Sequence, residues 1–341
     1  MNHVCVIAEA GVNHNGSLDL AKKMVDAAYD AGADYIKFQT FIPKNMVSVH
    51  AQRAQYQKKA QLEQQGLMTE ETQFEMLERL ALTFDDFATL KDYAVKKGIG
   101  FLSTPFDLES VHFLDQLGMD FWKLPSGEVT NLPFLETIAK TGKPIVMSTG
   151  MCNLEEVREA IAAIRKIHPS NLTLLQCNTE YPTPYSDVNL MAMKTMGEEF
   201  HVPVGYSDHT QGIAMSLAAV ALGAVVIEKH FTLDRQMEGP DHKASLMPEE
   251  LEEMIMGIRQ IELGLGNGIK APSESEKKNI NAARKSIVAG TDIHKGELLS
   301  VDNLAIKRPG GGISPMKWHQ ILGKSANRDY LADELLDDSM E

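Results

Sequence analysis

The chain has 341 residues, 43% of them hydrophobic, and a formal net charge of −14. That length is enough for one barrel-sized domain and a smaller second one without covalent staples. The acidic balance excludes a general affinity for nucleic acid or anionic membrane, but leaves room for a local basic pocket and hence for small-molecule substrates. Cys5, Cys152 and Cys177 are too few and too far apart for a disulfide framework or a zinc cluster, which favours buried free thiols in a reducing compartment. The opening residues MNHVCVIAEAG enter an apolar run without a basic leader, and no later segment reaches transmembrane length, so a cytoplasmic protein is expected.

Short apolar runs alternate with longer segments of helical periodicity, the pattern of repeated βα units and a parallel sheet. The predicted strands are 4–8, 35–38, 99–102, 121–124, 145–147, 172–176, 202–205 and 225–227. Between the first two, residues 17–31 place Leu18, Ala21, Met24, Val25 and Ala28 at helical spacing, with Ser17 as N-cap and Gly32 as stop. GVNHNG after the first strand lacks dinucleotide-binding spacing, so the pattern predicts a (β/α)8 TIM barrel over a doubly wound sheet. The polar stretch 50–72 reads as a lid-like insertion or an extra helix over the strand ends, after the second strand. Residues 265–284 have the Gly, Pro, Ser and Lys content of a linker, and 285–341 read as a small β-rich domain, leaving 1–264 for the barrel.

In a barrel of this kind the C-terminal strand ends build the site. Here they carry Glu9; Lys37 and Gln39; Ser103 and Thr104; Lys123, Ser126 and Glu128; Ser148 and Thr149; Asn178 and Thr179; Ser207, Asp208 and His209; and Glu228 and His230. Two lysines converging with a ring of hydroxyls suit a phosphorylated or doubly anionic substrate. Taken singly, each hydroxyl could equally cap the following helix. His209 in GYSDHT and His230 in VIEKHFT could together hold a divalent ion with open positions for water and substrate, or be core histidines bonded to backbone. Glu9 and Asp241 are the nearest carboxylates in sequence logic, and His14 reads as part of a loop and helix cap in preference to a base.

The motifs AEAGVNHNGS, IKFQTF, FLSTPFD, KLPSGE, VMSTGM, CNTEYPTPY, GYSDHT, IEKHFT, GPDHKASL and KRPGGG, in this order, resemble those of the sialic acid synthase family, over nearly the whole chain. Members condense phosphoenolpyruvate with an N-acetylated hexose, and details such as SGEVTNLPFL and HKASL are most similar to the N,N′-diacetyllegionaminate branch, with the N-acetylneuraminate branch as the alternative. The resemblance implies that Lys37, Thr104, Lys123, Ser126, Ser148 and Ser207 hold phosphoenolpyruvate. Thr179 joins them, standing where some relatives carry Asn, with Asn178 one place earlier. It further implies Glu9, Glu128, Tyr181 and Asp241 around the sugar, and His209 and His230 on Mn²⁺, with Mg²⁺ or Co²⁺ as substitutes. Glu9, Lys37, Lys123 and Glu128 become the expected catalytic groups, with Glu9 or Glu128 activating water. The tail resembles the antifreeze-like SAF domain, which implies a domain-swapped homodimer in which Arg308 reaches the partner's sugar. Two readings compete on the residues alone: a metal-dependent aldolase or isomerase, and, from the tail, a carbohydrate- or ice-binding module.

Overall fold

A computed structural model describes residues 3–48, 50–54, 71–169 and 171–340. The chain divides into two compact units, Met1–Gly266 and Asn267–Glu341. The first is built on eight parallel strands, β1 (Cys5–Gly11), β2 (Tyr35–Thr40), β3 (Gly100–Pro105), β4 (Trp122–Leu124), β5 (Ile145–Ser148), β6 (Leu172–Cys177), β7 (Val204–Asp208) and β8 (Val226–His230). They hydrogen-bond in the order β3-β2-β1-β8-β7-β6-β5-β4, with β3 and β4 adjacent, so the sheet is a nearly closed barrel.

The strands are apolar on both faces because helices cover the outside and side chains fill the inside. In β1, Val6 and Ala8 join one apolar cluster with Ala21, Met24, Val25 and Ala28 of the helix Leu18–Asp30, while Ile7 belongs to a second cluster with Leu102 and Leu174. That helix begins where expected: Ser17 is its N-cap and accepts a hydrogen bond from Leu20 N, and Gly32 follows with φ +83. Gly205 is required by close packing. A Cβ there would lie 2.3 Å from the Val226 carbonyl oxygen, so glycine is what lets β7 approach β8.

All eight predicted strands form, and most run further than expected at their C-terminal ends. β1, β3, β7 and β8 each continue through polar residues read from sequence as loop. The physical reason is the barrel itself: a strand keeps its ladder hydrogen bonds while alternate side chains turn into the cavity, so polarity there marks the site and not the end of the strand. Residues 55–70 of the stretch expected to form a lid lie outside the described residues. Around them, a short helix Pro43–Met46 precedes and Gln73–Leu80 follows, the latter with a Thr72–Glu75 capping box.

The second unit opens with a helix, Glu274–Ala283, inside the stretch with linker composition. It continues with an antiparallel pair, β9 (Ser286–Ala289) and β10 (Leu304–Lys307). Ile287, Ala289, Ile293, Leu299, Leu304, Ile313 and Tyr330 make its core. Among the described residues no helix is long and apolar enough to cross a membrane, and all three cysteines are free.

Candidate active site

A cavity of ≈ 620 Å³ opens at the C-terminal strand ends. Its floor is set by strand register. Glu9 on β1 lies level with Lys37 on β2 and with His230 on β8, and Ser207 on β7 lies level with Glu228 on β8. These side chains alternate inward while their strand neighbours turn outward, which is why one sheet brings five polar groups to one place.

Two lysines and two glutamates form a buried network there. Lys37 Nζ stands 2.7 Å from Glu9 and 3.5 Å from Glu228, while Lys123 Nζ stands 3.3 Å from the other Glu228 oxygen. Lys37 donates to Thr104 Oγ1 and Lys123 to Ser148 Oγ, each at 2.9 Å, and Ser207 Oγ donates to Glu228 at 2.9 Å. Gln39 Nε2 donates to Glu9 at 3.2 Å. Burial alone would raise the Glu228 carboxyl, but Lys123 and Lys37 hold it below the usual carboxylate range. Glu9 goes the other way: burial raises it, and the pull of Lys37 does not cancel that. Burial disfavours the charge on both lysines. For Lys37 it is outweighed by Glu228 and Glu9, whose charges raise it, whereas Lys123 remains lowered despite Glu228.

The two imidazoles lie beside this floor. Their ring centroids are 5.3 Å apart, and Tyr181 stacks on His209 at 4.0 Å. His209 Nδ1 donates to the Asn178 carbonyl, which leaves Nε2 with its lone pair, 3.0 Å from the Tyr181 hydroxyl. His230 Nδ1 is buried and has no hydrogen-bond partner, and burial with the neighbouring His209 and Lys37 charges holds this imidazole neutral. Burial disfavours charge on His209, but Cys177 and the Asn178 carbonyl outweigh it and raise this imidazole; its Nε2 and the unpartnered Nδ1 of His230 are nitrogens of the kind a divalent ion takes. Asp241 also lines the cavity, and burial pushes its carboxyl up to about 6. Among the described residues no group of three or more His, Cys, Asp or Glu side chains is arranged to enclose a metal.

The cavity wall gathers Glu9, Lys37, Thr104, Lys123, Ser126, Ser148, Thr179, Tyr181, Ser207, His209, His230 and Asp241. Thr179 lines it, while the Asn178 amide oxygen turns back to accept from Glu180 N at 2.8 Å. Glu128 is not on this wall. It sits half-buried on the turn Ser126–Glu128, where Asn131 donates to its carboxylate at 2.6 Å. Ser103 is likewise away from the cavity, paired with Thr40 at 2.6 Å. Arg308 belongs to the second unit, exposed, with Nε donating to the Ala283 carbonyl at 3.1 Å. Glu228 is the group that sequence reasoning left without a role. Its position two residues before His230, on the same strand face, was the available signal. His14 is a loop residue: Nδ1 accepts from Gly16 N at 3.1 Å, and burial pushes the ring down to about 4.

Comparison with known proteins gives concordant findings. Residues 24–270 match the NeuB family and residues 284–340 match the SAF domain. The chain is 53% identical to the N,N'-diacetyllegionaminic acid synthase of Campylobacter jejuni, covering 98% of this chain and 99% of that protein. It is 45% identical to the enzyme of the same name from Legionella pneumophila, covering 97% and 92%. A crystal structure of N-acetylneuraminic acid synthetase from Leptospira borgpetersenii superposes with a TM-score of 0.72 at 34% identity, covering 82% of this chain and 90% of that one.

Proposed function

The chain belongs to the NeuB family of phosphoenolpyruvate-dependent enzymes that form a C–C bond, and from that premise we propose that it condenses phosphoenolpyruvate with 2,4-diacetamido-2,4,6-trideoxymannose and water, giving N,N′-diacetyllegionaminate and phosphate. The observation that carries this reading is the union, in one cavity, of a two-lysine floor and two adjacent imidazoles. The choice of sugar rests on the similarity to the two diacetyllegionaminic acid synthases.

Lys37 and Lys123 hold the phosphate and carboxylate of phosphoenolpyruvate, with Thr104, Ser126, Ser148, Thr179 and Ser207 as short donors around them. Both lysines are already oriented by Glu228, so little rearrangement precedes binding. His209 and His230 would hold a divalent ion, Mn²⁺ by family resemblance with Mg²⁺ or Co²⁺ as substitutes, and when bound it supplies Lewis-acid polarisation of the sugar's carbonyl oxygen. Tyr181 and Asp241, on the wall beside the imidazoles, orient the open-chain sugar. The methylene carbon of phosphoenolpyruvate attacks the aldehyde carbon. Positive charge then develops at the enol carbon, water adds there, and the tetrahedral intermediate breaks its C–O bond to release phosphate. Glu9, buried beside Lys37 with its pKa raised toward neutrality, is placed to take the proton from that water. Glu128, away from the wall, is the weaker candidate for that role.

By the same resemblance, the working unit is a domain-swapped homodimer in which an exposed Arg308 reaches the sugar on the other protomer. Three free thiols support a cytoplasmic setting. The test of the chemistry uses phosphoenolpyruvate labelled with ¹⁸O in its bridging oxygen. The expected result is phosphate that retains the label, formed only when sugar is present, abolished by chelation and restored by Mn²⁺. Release of unlabelled phosphate, or turnover unaffected by chelation, would contradict the mechanism.

A further inference from the structure

β7 and β8 each place one charged residue between the inward-facing groups of the site. Ser207 and His209 flank Asp208, and Glu228 and His230 flank Lys229. Strand alternation sends Asp208 and Lys229 outward into the layer between barrel and helices, the same face on which Tyr206 and Ile227 join the apolar core. Both are 0% exposed. They sit level with each other in register, with Lys229 Nζ 3.0 Å from Asp208 Oδ2.

Both members of the pair have further partners. Asp208 Oδ1 accepts from the backbone N–H and the hydroxyl of Thr210, both at 2.8 Å, and Oδ2 accepts from Ser216 Oγ at 2.7 Å. Lys229 Nζ donates to the Thr210 carbonyl. Thus the residue before His209 and the residue after it are both fastened to Lys229, which itself immediately precedes His230. A buried ion pair of this kind adds little net stability over apolar side chains of similar volume, because desolvation offsets the attraction. Its distinctive property is geometric: it fixes two strand ends, and the turn after one of them, to a single point.

We propose that Asp208, Lys229 and Thr210 are positioning residues that set the spacing and orientation of His209 and His230, so that the two imidazoles bind a divalent cation as a preorganised pair. The inference rests on the metal reading given above and names the part of the chain that makes it work. Groups that orient metal ligands from behind typically change metal affinity by about 10- to 100-fold when altered. They leave alone those groups that do not depend on them. Of the groups round phosphoenolpyruvate, Lys37, Thr104, Lys123 and Ser148 stand on other strands, while Ser207 and Glu228 share β7 and β8 with the pair; phosphoenolpyruvate affinity is therefore the internal control, expected to move much less than Mn²⁺ affinity.

The experiment compares wild type with a variant carrying both Asp208→Asn and Lys229→Met, which removes the charges together at similar volume. Three quantities are read on metal-free protein: the thermal transition, Mn²⁺ affinity by titration calorimetry, and phosphoenolpyruvate affinity. The expected result is one cooperative transition, phosphoenolpyruvate affinity within about twofold of wild type, and Mn²⁺ affinity weakened about 10- to 100-fold. Unchanged Mn²⁺ affinity, or a parallel fall in both affinities, would overturn the proposal. Thr210→Val, which removes only the hydroxyl contact, decides the matter if the double variant does not fold: about fivefold weaker Mn²⁺ binding is expected, and none overturns it. If wild type itself does not bind Mn²⁺, the metal reading falls and takes this inference with it.

Discussion

Glu228 is the residue around which the charges of the floor are balanced. It touches both lysines and accepts from Ser207, yet it bonds to no part of the sugar-facing wall described above. Its chemical effect is to keep buried ammonium groups charged, since burial disfavours that charge and Glu228 opposes the loss at Lys123. Glu228→Gln removes the counter-charge, so Lys123 surrenders its proton at lower pH. The expected outcome is a pH profile of 1/KM for phosphoenolpyruvate whose alkaline limb moves down by about one pH unit or more. Superimposable profiles for wild type and variant would show that Glu228 does not govern the lysine.

At the scale of elements, two loops carry the far wall. Residues 12–16 after β1 and 239–245 after β8 are fastened together: Asn13 Nδ2 donates to the Phe231 carbonyl and to Ser245 Oγ, both at 2.9 Å, and His242 Nε2 meets Asn15 Oδ1 at 3.2 Å. Ser245 Oγ in turn donates to the Asp241 carbonyl at 2.7 Å, which holds Asp241 over the cavity. His14 and His242 within this clasp are both pushed down to about 4 by burial. Each is neutral in the folded protein and protonates near 6.5 when unfolded, so the folded state gains nothing from protons that the unfolded state binds. The stability from their neutral forms is therefore present above pH 6.5 and lost as pH falls toward 4. By pH 4.5 the loss is on the order of 2 kcal/mol for each histidine. His14→Gln, which cannot take the proton, is expected to make the fall in stability between pH 7.5 and 4.5 shallower by that amount in denaturant melts. An equal fall in both proteins would remove His14 from the acid response.

These elements also show how far the sequence can be read. Each of the eight strands was legible from its apolar run, because burial on both faces leaves an unbroken hydrophobic signal. Their C-terminal ends were not, since a residue such as Glu9, Ser207 or His230 is polar for the sake of the cavity while its backbone remains in the ladder. Lys37, Lys123, His209 and His230 could be nominated from their positions after apolar runs. Glu228 could not be given a role, because its meaning lies in two lysines from β2 and β4, contacts that only the closed barrel creates. Glu128 was nominated from its place after the fourth strand and from the KLPSGE motif; on the turn that follows β4 its carboxylate accepts from Asn131.

For the whole molecule, the barrel brings a two-lysine floor and an imidazole pair into one cavity, which the proposed function assigns to the phosphorylated and the carbonyl substrate respectively. Family membership shows the reaction class, and the remaining freedom is in the sugar. A 2,4-diacetamido-2,4,6-trideoxymannose and N-acetylmannosamine differ in an acetamide at one carbon and a hydroxyl at another, and a pocket shaped for one should reject the other through unpaired polar groups. The most direct measurement is phosphate release from phosphoenolpyruvate by Mn²⁺-loaded enzyme with each sugar in parallel. The expected kcat/KM is at least about tenfold higher for the diacetamido sugar; equal values, or a preference for N-acetylmannosamine, would overturn the assignment of the sugar.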